Sequence, residues 1–148
     1  MSVQIRPLQK SDEAEWRRLW TGYLEFYETT VSEDVYQTTF ARLNSGAEHE
    51  YRGLMAELDG KPVGLTHYLF HRHNWSVENV CYLQDLYADP QVRGKGIGRA
   101  LIEAVHTEAM KAGAHSVYWM TNQNNATARQ LYDRLAKVTP FIKYVKTV

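Results

Sequence analysis

The sequence predicts an α/β (α+β) fold in which helices cover both faces of a central sheet. Segments with the two-residue period of strands and segments with the 3.6-residue period of helices follow one another along the chain. Turn-forming residues separate these segments, and the resulting element order is βααβββαβαβ. The 148 residues are enough to bury a core of ordinary size. We therefore expect one domain that spans residues 1–148.

The first third of the chain predicts one strand and two helices. Residues 2–7 alternate in polarity and end at Pro7, which suits an edge strand. Ser11 is a candidate N-cap for a helix over 12–28, because acidic residues fill the first turn and apolar residues follow at spacings of three and four. A second, weaker helical pattern covers residues 32–43.

The middle third predicts three strands. Residues 51–58 and 63–71 flank the dipeptide Asp59-Gly60, which is typical of a tight hairpin turn. Residues 79–90 form another strand-like run, which ends at an Asp-Pro dipeptide. We therefore expect a hairpin followed by a third strand.

The last third predicts two helices and two strands. The first helix begins in a glycine-rich turn and ends near Gly113, a glycine in the position that commonly follows a helix. Residues 115–121 read as a strand, and the apolar positions of 125–137 mark one face of a helix. Residues 141–148 predict a terminal strand.

Composition excludes several classes of protein. The chain carries 17 basic and 17 acidic residues, so no overall field attracts nucleic acid or a membrane surface. No apolar run approaches the ~20 residues of a transmembrane helix, and no hydrophobic leader follows Met1. The single cysteine, Cys81, excludes an internal disulfide and fits a reducing compartment. We expect a cytoplasmic protein without nucleic-acid or membrane partners.

A glycine-rich turn is the strongest functional signal. Residues 91–101 read QVRGKGIGRAL, in which alternate glycines and interleaved cations precede a helix. Glycines allow positive φ and close approach, so successive N–H groups can point into one concavity at a helix N-terminus, where the dipole favours anions. Phosphate is the ligand that uses both the N–H groups and the cations. The glycines are Gly94, Gly96 and Gly98, and the cations are Arg93, Lys95 and Arg99.

The spacing argues against two other phosphate-binding loops. A P-loop requires Gly-Lys followed by Ser or Thr, whereas Gly98 is followed by Arg99 and Ala100. In a Gly-x-Gly-x-x-Gly dinucleotide fingerprint, the third glycine comes one residue later than it does here. The alternative to a phosphate site is a glycine-rich turn with solvated cations.

Two motifs resemble those of the GNAT (Gcn5-related N-acetyltransferase) superfamily. The run RGKGIG over 93–98 resembles its pyrophosphate loop, and NATARQLY over 125–132 resembles its Asn-x-x-Ala-x-x-Leu-Tyr helix. The stretch over 82–101 is similar to the diamine, thialysine and histone-acetyltransferase-like branch. The resemblance covers the chain from end to end and implies a central mixed, mostly antiparallel sheet. It also implies acetyl-CoA as the donor and a primary amine as the acceptor.

The resemblance implies a role for each motif residue. Backbone N–H groups over 93–98 would bind the pyrophosphate, and the main chain of the preceding strand would pair with the pantetheine arm as an added strand. Tyr132 would lie near the thioester sulfur as a general acid, and its alternative is a core aromatic of its helix. The implied cofactor-binding residues are Leu86, Tyr87, Ala88, Arg93, Gly94, Lys95, Gly96, Ile97, Gly98, Arg99 and Asn125.

The expected acceptor residues lie on the first helix and on the strand before the glycines. Tyr23, Tyr27 and Glu28 could receive a cation through carboxylate and π contacts. Gln84 stands where the diamine-type enzymes carry Glu, and an amide cannot accept the amine proton. Strand alternation places Gln84 and Asp85 on opposite faces, so Asp85 replaces that Glu only if a bulge intervenes. The general base therefore has no assignment from the sequence.

We expect an N-acetyltransferase in which a small amine, a polyamine, an amino acid or a lysine-type acceptor attacks the thioester directly in a ternary complex. Loss of the base at Gln84 keeps a second hypothesis open, a non-catalytic acyl-CoA-binding regulatory module. His67, His71 and His73 lack further ligands at convincing spacing, so we expect no metal site. The resemblance also implies a homodimer, for which residues 141–148 would be available.

Overall fold

The computed structural model describes residues 2–92 and 94–148. Its sheet has five strands in the order β1-β2-β3-β4-β5. They are β1 (Val3–Pro7), β2 (Arg52–Leu58), β3 (Lys61–His71), β4 (Val80–Ala88) and β5 (Val117–Tyr118). Neighbouring strands are antiparallel except for β4 and β5, which are parallel. The expected mixed, mostly antiparallel sheet is therefore confirmed.

Four α-helices accompany the sheet. They are α1 (Glu13–Phe26), α2 (Glu33–Leu43), α3 (Ile97–Lys111) and α4 (Ala126–Leu135). The prediction of Ser11 as the first N-cap is wrong, because Lys10–Asp12 form a 3₁₀ turn and Asp12 is the N-cap of α1. The carboxylate of Asp12 instead bonds to the guanidinium of Arg6, with both N···O distances at 2.8 Å. This ion pair ties the start of α1 to β1.

Helices cover both faces of the sheet, as the sequence predicts. Alternation along β2 shows this directly, since Leu54 and Ala56 pack in the core beneath α3, whereas Met55 packs in the core beneath α1 and α2. Trp16 of α1 and Leu101 of α3 anchor the two sides and are fully buried. No helix of the described chain is both long and apolar enough to cross a bilayer.

Two predicted strands at the C-terminal end differ from the structure. The strand expected over 115–121 is reduced to Val117–Tyr118. The strand expected over 141–148 does not form, and its apolar side chains are exposed, with Ile142 at 77% and Tyr144 at 89%. A strand needs the backbone groups of a neighbour, and the described chain offers none to this segment. The observed order therefore ends at α4.

The short β5 leaves one edge of β4 open. β5 pairs with β4 only at Cys81 and Tyr82. The opposite edge of β4 pairs with β3 as far as Ala88. Beyond Tyr82, no strand within residues 2–92 and 94–148 covers the open edge. The gap lies directly before the glycine-rich turn.

Candidate active site

The glycine-rich turn joins the open end of β4 to α3. Gly94 and Gly96 have φ values of 71° and 72°, in the left-handed region that favours glycine. Gly96 is the N-cap of α3, and the first N–H groups of a helix have no intrahelical acceptors. Lys95 is exposed within the turn, whereas Arg93 lies outside the described residues. The residues present therefore suit an anionic diphosphate.

Gly98 and Arg99, the third glycine and the third cation of this motif, lie within α3 rather than in the turn. Gly98 lies within α3, and a Cβ there would make only an ordinary contact with Leu131, at 3.7 Å. Its position therefore does not require glycine for backbone reasons. Arg99 pairs with Glu103 at 3.1 Å, and both side chains are exposed. An exposed pair of this kind contributes little to stability and leaves the cation accessible to another anion.

The main chain of β4 is placed to hold an amide-rich chain. Leu86, Tyr87 and Ala88 pair with β3 on one side, and their other edge is the open one described above. The side chain of Tyr87 packs against α1 at Gly22, where its hydroxyl lies 2.5 Å from the position that a Cβ would occupy. The backbone of these residues is therefore the part available for β-strand addition.

A β-bulge at Gln84 interrupts the strand alternation that would otherwise place Gln84 and Asp85 on opposite faces of β4. His67 of β3 lies opposite Asp85, and Tyr68 lies opposite Leu83, so Gln84 has no residue opposite it. A bulge changes the direction of the side chains around it. Gln84 and Asp85 consequently line the same cleft, of about 430 Å³.

The cleft lies between α1, β4, the segment after β5 and the segment after α4. Its wall combines one carboxylate, one ammonium group and several hydroxyl and amide groups. The lining residues are Tyr23, Tyr27, Tyr82, Gln84, Asp85, Met120, Thr121, Asn122 and Lys143. Of the predicted acceptor residues, only Glu28 lies elsewhere, in a shallow cleft with Glu25, Thr29 and Thr30. The structure thus brings four of the five predicted acceptor residues together.

Asp85 is a buried anion at the floor of the cleft. Its side chain accepts a hydrogen bond from His67 Nδ1 at 2.7 Å, and Tyr23 lines the cleft beside it. Burial acts to raise the pKa of Asp85, but the interaction with His67, with a smaller contribution from Tyr23, outweighs this effect and lowers it. Trp20 acts in the same direction, although its buried Nε1 makes no hydrogen bond of normal geometry within the described chain.

Sequence reasoning missed the role of His67. The sequence argued against a metal ligand and favoured a strand-end histidine lining a cleft or an interface, whereas the imidazole is 3% exposed and bonded to Asp85. The signal that could have found it is the register of β3 against β4, which a bulge at Gln84 shifts. No group of three or more possible metal ligands occurs within residues 2–92 and 94–148.

Tyrosines surround Asp85 and remain protonated near neutral pH. Burial raises the pKa of Tyr23, and the charge of Asp85 adds to the shift. Burial also raises the pKa of Tyr27, of Tyr82 and, to about 12, of Tyr51. Tyr51 donates its hydroxyl proton to the side-chain oxygen of Gln84. The cleft therefore offers neutral hydroxyl groups and ring faces around a single carboxylate.

Tyr132 lies on α4 and is not among the residues that line the cleft. Its ring packs edge-on against Trp119, with the centroids 5.5 Å apart. Burial raises the pKa of Tyr132, and Tyr27 contributes to the shift. The phenol is therefore a protonated hydrogen-bond donor at neutral pH and a weaker acid than free tyrosine.

Asn125 caps α4 rather than facing the cleft. Its Oδ1 accepts a hydrogen bond from the N–H of Ala128 at 3.3 Å, and its Nδ2 donates to Thr121 Oγ1 at 3.4 Å.

Cys81 is buried, and burial raises the pKa of its thiol to about 12. A thiol with so high a pKa is a poor nucleophile, so the geometry favours direct transfer over a cysteine intermediate.

Comparison with known proteins identifies the family. The sequence model of the Acetyltransferase (GNAT) family matches residues 14–136. A D-amino-acid N-acetyltransferase of Saccharomyces cerevisiae is 36% identical over 143 residues, which cover 96% of this chain and 89% of that protein. A thialysine N-epsilon-acetyltransferase of Mus musculus is 28% identical over 139 residues, which cover 88% of this chain and 81% of that protein.

Solved structures agree on the fold. A ribosomal-protein-alanine N-acetyltransferase from Brucella melitensis superposes with a TM-score of 0.82 at 21% identity, covering 99% of this chain and 100% of that chain. An aminoglycoside N-acetyltransferase in complex with CoA superposes with a TM-score of 0.82 at 18% identity, covering 98% and 94%. The chain therefore belongs to the GNAT family and is an acetyltransferase that uses acetyl-CoA.

Proposed function

We propose that this enzyme transfers the acetyl group of acetyl-CoA to the amine nitrogen of a small acceptor by direct attack in a ternary complex. A nitrogen–carbon bond forms and the carbon–sulfur bond breaks, which yields an N-acetylated amine and the free thiol. The ammonium form of the acceptor loses two protons in all: one leaves to solvent before attack, and the second ends on the sulfur. The observation that carries this proposal is Asp85, a buried anion in a cleft beside the open edge of β4.

Asp85 serves best as the group that binds the ammonium form of the acceptor. An alkylamine with a pKa of ~10.4 is neutral in about one molecule in 2,500 at pH 7, which costs about 4.6 kcal/mol before attack. Proton transfer from that ammonium to a carboxylate of pKa ~3.9 is uphill by about 9 kcal/mol, and the pKa of Asp85 is lower still. Asp85 therefore binds and orients the ammonium group. One proton must leave to solvent before the nitrogen lone pair can attack, and the second proton becomes acidic as the new bond forms.

The donor side depends on the glycine-rich turn and β4. The thioester supplies the activated acyl group. The N–H groups at the start of α3 hold its diphosphate, with Lys95, Arg93 and Arg99 beside it, and the backbone of 86–88 aligns its amide-rich arm. Tyr132 donates a hydrogen bond toward the sulfur. The pKa of its phenol is raised, so this bond strengthens as the sulfur gains charge and does not require full proton transfer.

The cleft favours an α-amino acid as the acceptor. Asp85 and Lys143 are the one carboxylate and the one ammonium group among the described lining residues. A zwitterion satisfies both charges, whereas a polyamine would bring a second cation toward Lys143. The similarity to an enzyme named for D-amino acids supports the same acceptor class. Polyamines and lysine-type acceptors remain the comparison substrates.

Release of thiol from acetyl-CoA tests this proposal. We expect turnover with amino acids that exceeds turnover with the amines that lack only the carboxylate. Tyr132→Phe should lower kcat about tenfold to a hundredfold, because a hydrogen-bond donor to the developing negative charge is lost. Binding of CoA without thiol release from any amine would contradict the proposal and indicate an acyl-CoA-binding regulatory module. Equal rates for amino acids and their decarboxylated amines would contradict the acceptor class alone.

We also propose that the chain, as one domain, forms a homodimer in the cytoplasm through residues 141–148. These residues are rich in aromatic and β-branched side chains, and the apolar ones are exposed, with Phe141 at 80% and Val145 at 74%. A second copy supplies the neighbouring strand that the described chain lacks. Buried, unpaired Cys81 fits the reducing compartment.

Deletion of residues 141–148 is expected to convert the dimer into a monomer. The reason is that this segment carries the exposed apolar surface and the strand pattern that would pair between copies. Light scattering coupled to gel filtration gives the mass of each species. Replacement of Val138, an exposed apolar residue outside the segment, by Ser is the matched control and should leave the dimer intact. A full-length protein of monomer mass would contradict this proposal.

A further inference from the structure

We infer that Trp16 and His67 hold Asp85 as an anion without a cationic partner, so that its charge stays available to the ammonium group of the acceptor. The use of that charge rests on the proposed function. The protonation state of His67 does not, because it follows from hydrogen-bond geometry within the protein alone. The first part of the inference is the neutral state of His67, and the second part is the use of the Asp85 charge by the acceptor. Separate experiments can refute each of them.

The tautomer of His67 follows from its two partners. Trp16 Nε1 lies 3.0 Å from His67 Nε2, and an indole nitrogen only donates. His67 Nε2 must therefore be an acceptor without a proton. The ring proton then lies on Nδ1, which donates to Asp85 Oδ2 at 2.7 Å. Trp16, His67 and Asp85 are 0%, 3% and 5% exposed, so water does not replace either bond.

Protonation of His67 would disturb both bonds. A proton on Nε2 would point at the indole N–H of Trp16, so two donors would face each other with no acceptor between them. The imidazolium would also neutralise Asp85, and the pair would carry no net charge. A neutral His67 leaves the full negative charge of Asp85 at the floor of the cleft. Trp16 thus preserves the charge without contacting the cleft itself.

Among residues 2–92 and 94–148, no other group facing His67 and Asp85 would explain a change of charge near neutral pH. The described groups facing the pair come from α1, β2, β4 and the segments beside them. They are Trp20, Tyr23, Tyr27, Tyr51, Gly53, Tyr82, Gln84 and Lys143. The pKa of each of these tyrosines is raised, so they stay neutral where imidazole ordinarily titrates, between about pH 5 and pH 8.

Nitrogen NMR of the histidine-labelled protein tests the tautomer without any substrate. We expect His67 to show a neutral ring with the proton on Nδ1 near neutral pH, because Trp16 Nε1 donates to Nε2 and Nδ1 faces Asp85. Comparison with the His67→Asn spectrum assigns its signals. A proton on Nε2, or a doubly protonated ring near neutral pH, would overturn the inference. This spectrum tests the tautomer of His67 even if the enzyme acetylates no amine.

Trp16→Phe tests the consequence for the acceptor. The variant keeps an aromatic ring but frees Nε2, so His67 can gain a proton as the pH falls. We expect kcat/KM for the acceptor, relative to the unmodified enzyme, to fall about tenfold between about pH 8 and pH 5.5 through a rise in KM. Trp20→Phe, which removes the neighbouring indole and leaves the bond of Trp16 intact, should not introduce this pH dependence.

Adding His67→Asn to Trp16→Phe distinguishes charge from packing. The Asn amide can donate near the position of Nδ1 but cannot become a cation. The double variant should therefore lose the new pH dependence, whereas damaged packing alone would persist in it. If kcat/KM of Trp16→Phe follows that of the unmodified enzyme at every pH, the role of Trp16 in preserving the charge of Asp85 for the acceptor is overturned. If Trp16→Phe does not fold, the NMR spectrum of the unmodified protein still tests whether His67 is neutral with its proton on Nδ1.

Discussion

Asp85→Asn is expected to lower kcat/KM for the acceptor about a hundredfold while CoA binds with unchanged affinity. Removing one partner from a buried charged hydrogen bond costs about 2–5 kcal/mol, and about 2.7 kcal/mol corresponds to a factor of a hundred in rate. The Asn amide can also bring its NH₂ group toward His67 Nδ1, which donates to this side chain. Steady-state kinetics and calorimetric titration with CoA measure the two quantities.

Asp12→Asn is the matched control for this variant. Asp12 is the other buried carboxylate among the described residues, at 8% exposure, and it bonds to Arg6 and to the N–H of Gln9. We expect this change to lower the free energy of unfolding by about 1–3 kcal/mol and to leave turnover of the folded enzyme unchanged. An Asp85→Asn enzyme with full activity, or one that loses CoA binding as well, would contradict the assignment of Asp85.

Gly96→Val is expected to weaken CoA binding at least about tenfold. Gly96 has a φ of 72° and is the N-cap of α3. A side chain in the left-handed region costs about 1–2 kcal/mol, so the turn must either hold that strain or change shape. A new shape re-aims the N–H groups that would bind the diphosphate, and 1.4 kcal/mol of lost binding is about a factor of ten. Calorimetric titration with CoA measures the affinity.

Gly60→Val separates strain from ligand binding. Gly60 lies in the β2–β3 hairpin with a φ of 77°, and no atom comes within 4 Å of a Cβ built on either Gly60 or Gly96. Both variants should therefore lose similar stability in thermal unfolding, but only Gly96→Val should lose CoA affinity. Equal CoA affinity in the two variants would remove the diphosphate from the glycine-rich turn.

Local patterns in the sequence were enough for most secondary structure. The hairpin at Asp59-Gly60 was predictable because this dipeptide tolerates left-handed backbone, and the two residues have φ values of 53° and 77°. The helix after the glycines was predictable because its apolar face has the 3.6-residue period. It ends as expected before Gly113, with a φ of 76°. Each of these features depends on residues close together in the chain.

The terminal strand shows where local pattern is insufficient. Residues 141–148 have the composition of a strand, but a strand forms only against the backbone of another strand. No neighbour reaches this segment within the described chain, so its apolar residues are exposed. The same limit applies to 115–121, of which only Val117–Tyr118 pairs with β4.

The sequence by itself determined the family, the acetyl-CoA donor and the glycine-rich turn, because these depend on short motifs with characteristic spacing. The acceptor cleft was decided by tertiary structure. A bulge at Gln84 brings Asp85 to the cleft and opposite His67, while α1 contributes Trp16 from a distant part of the chain. Strand register and helix docking depend on packing between residues that are far apart in sequence, and no local pattern records that packing.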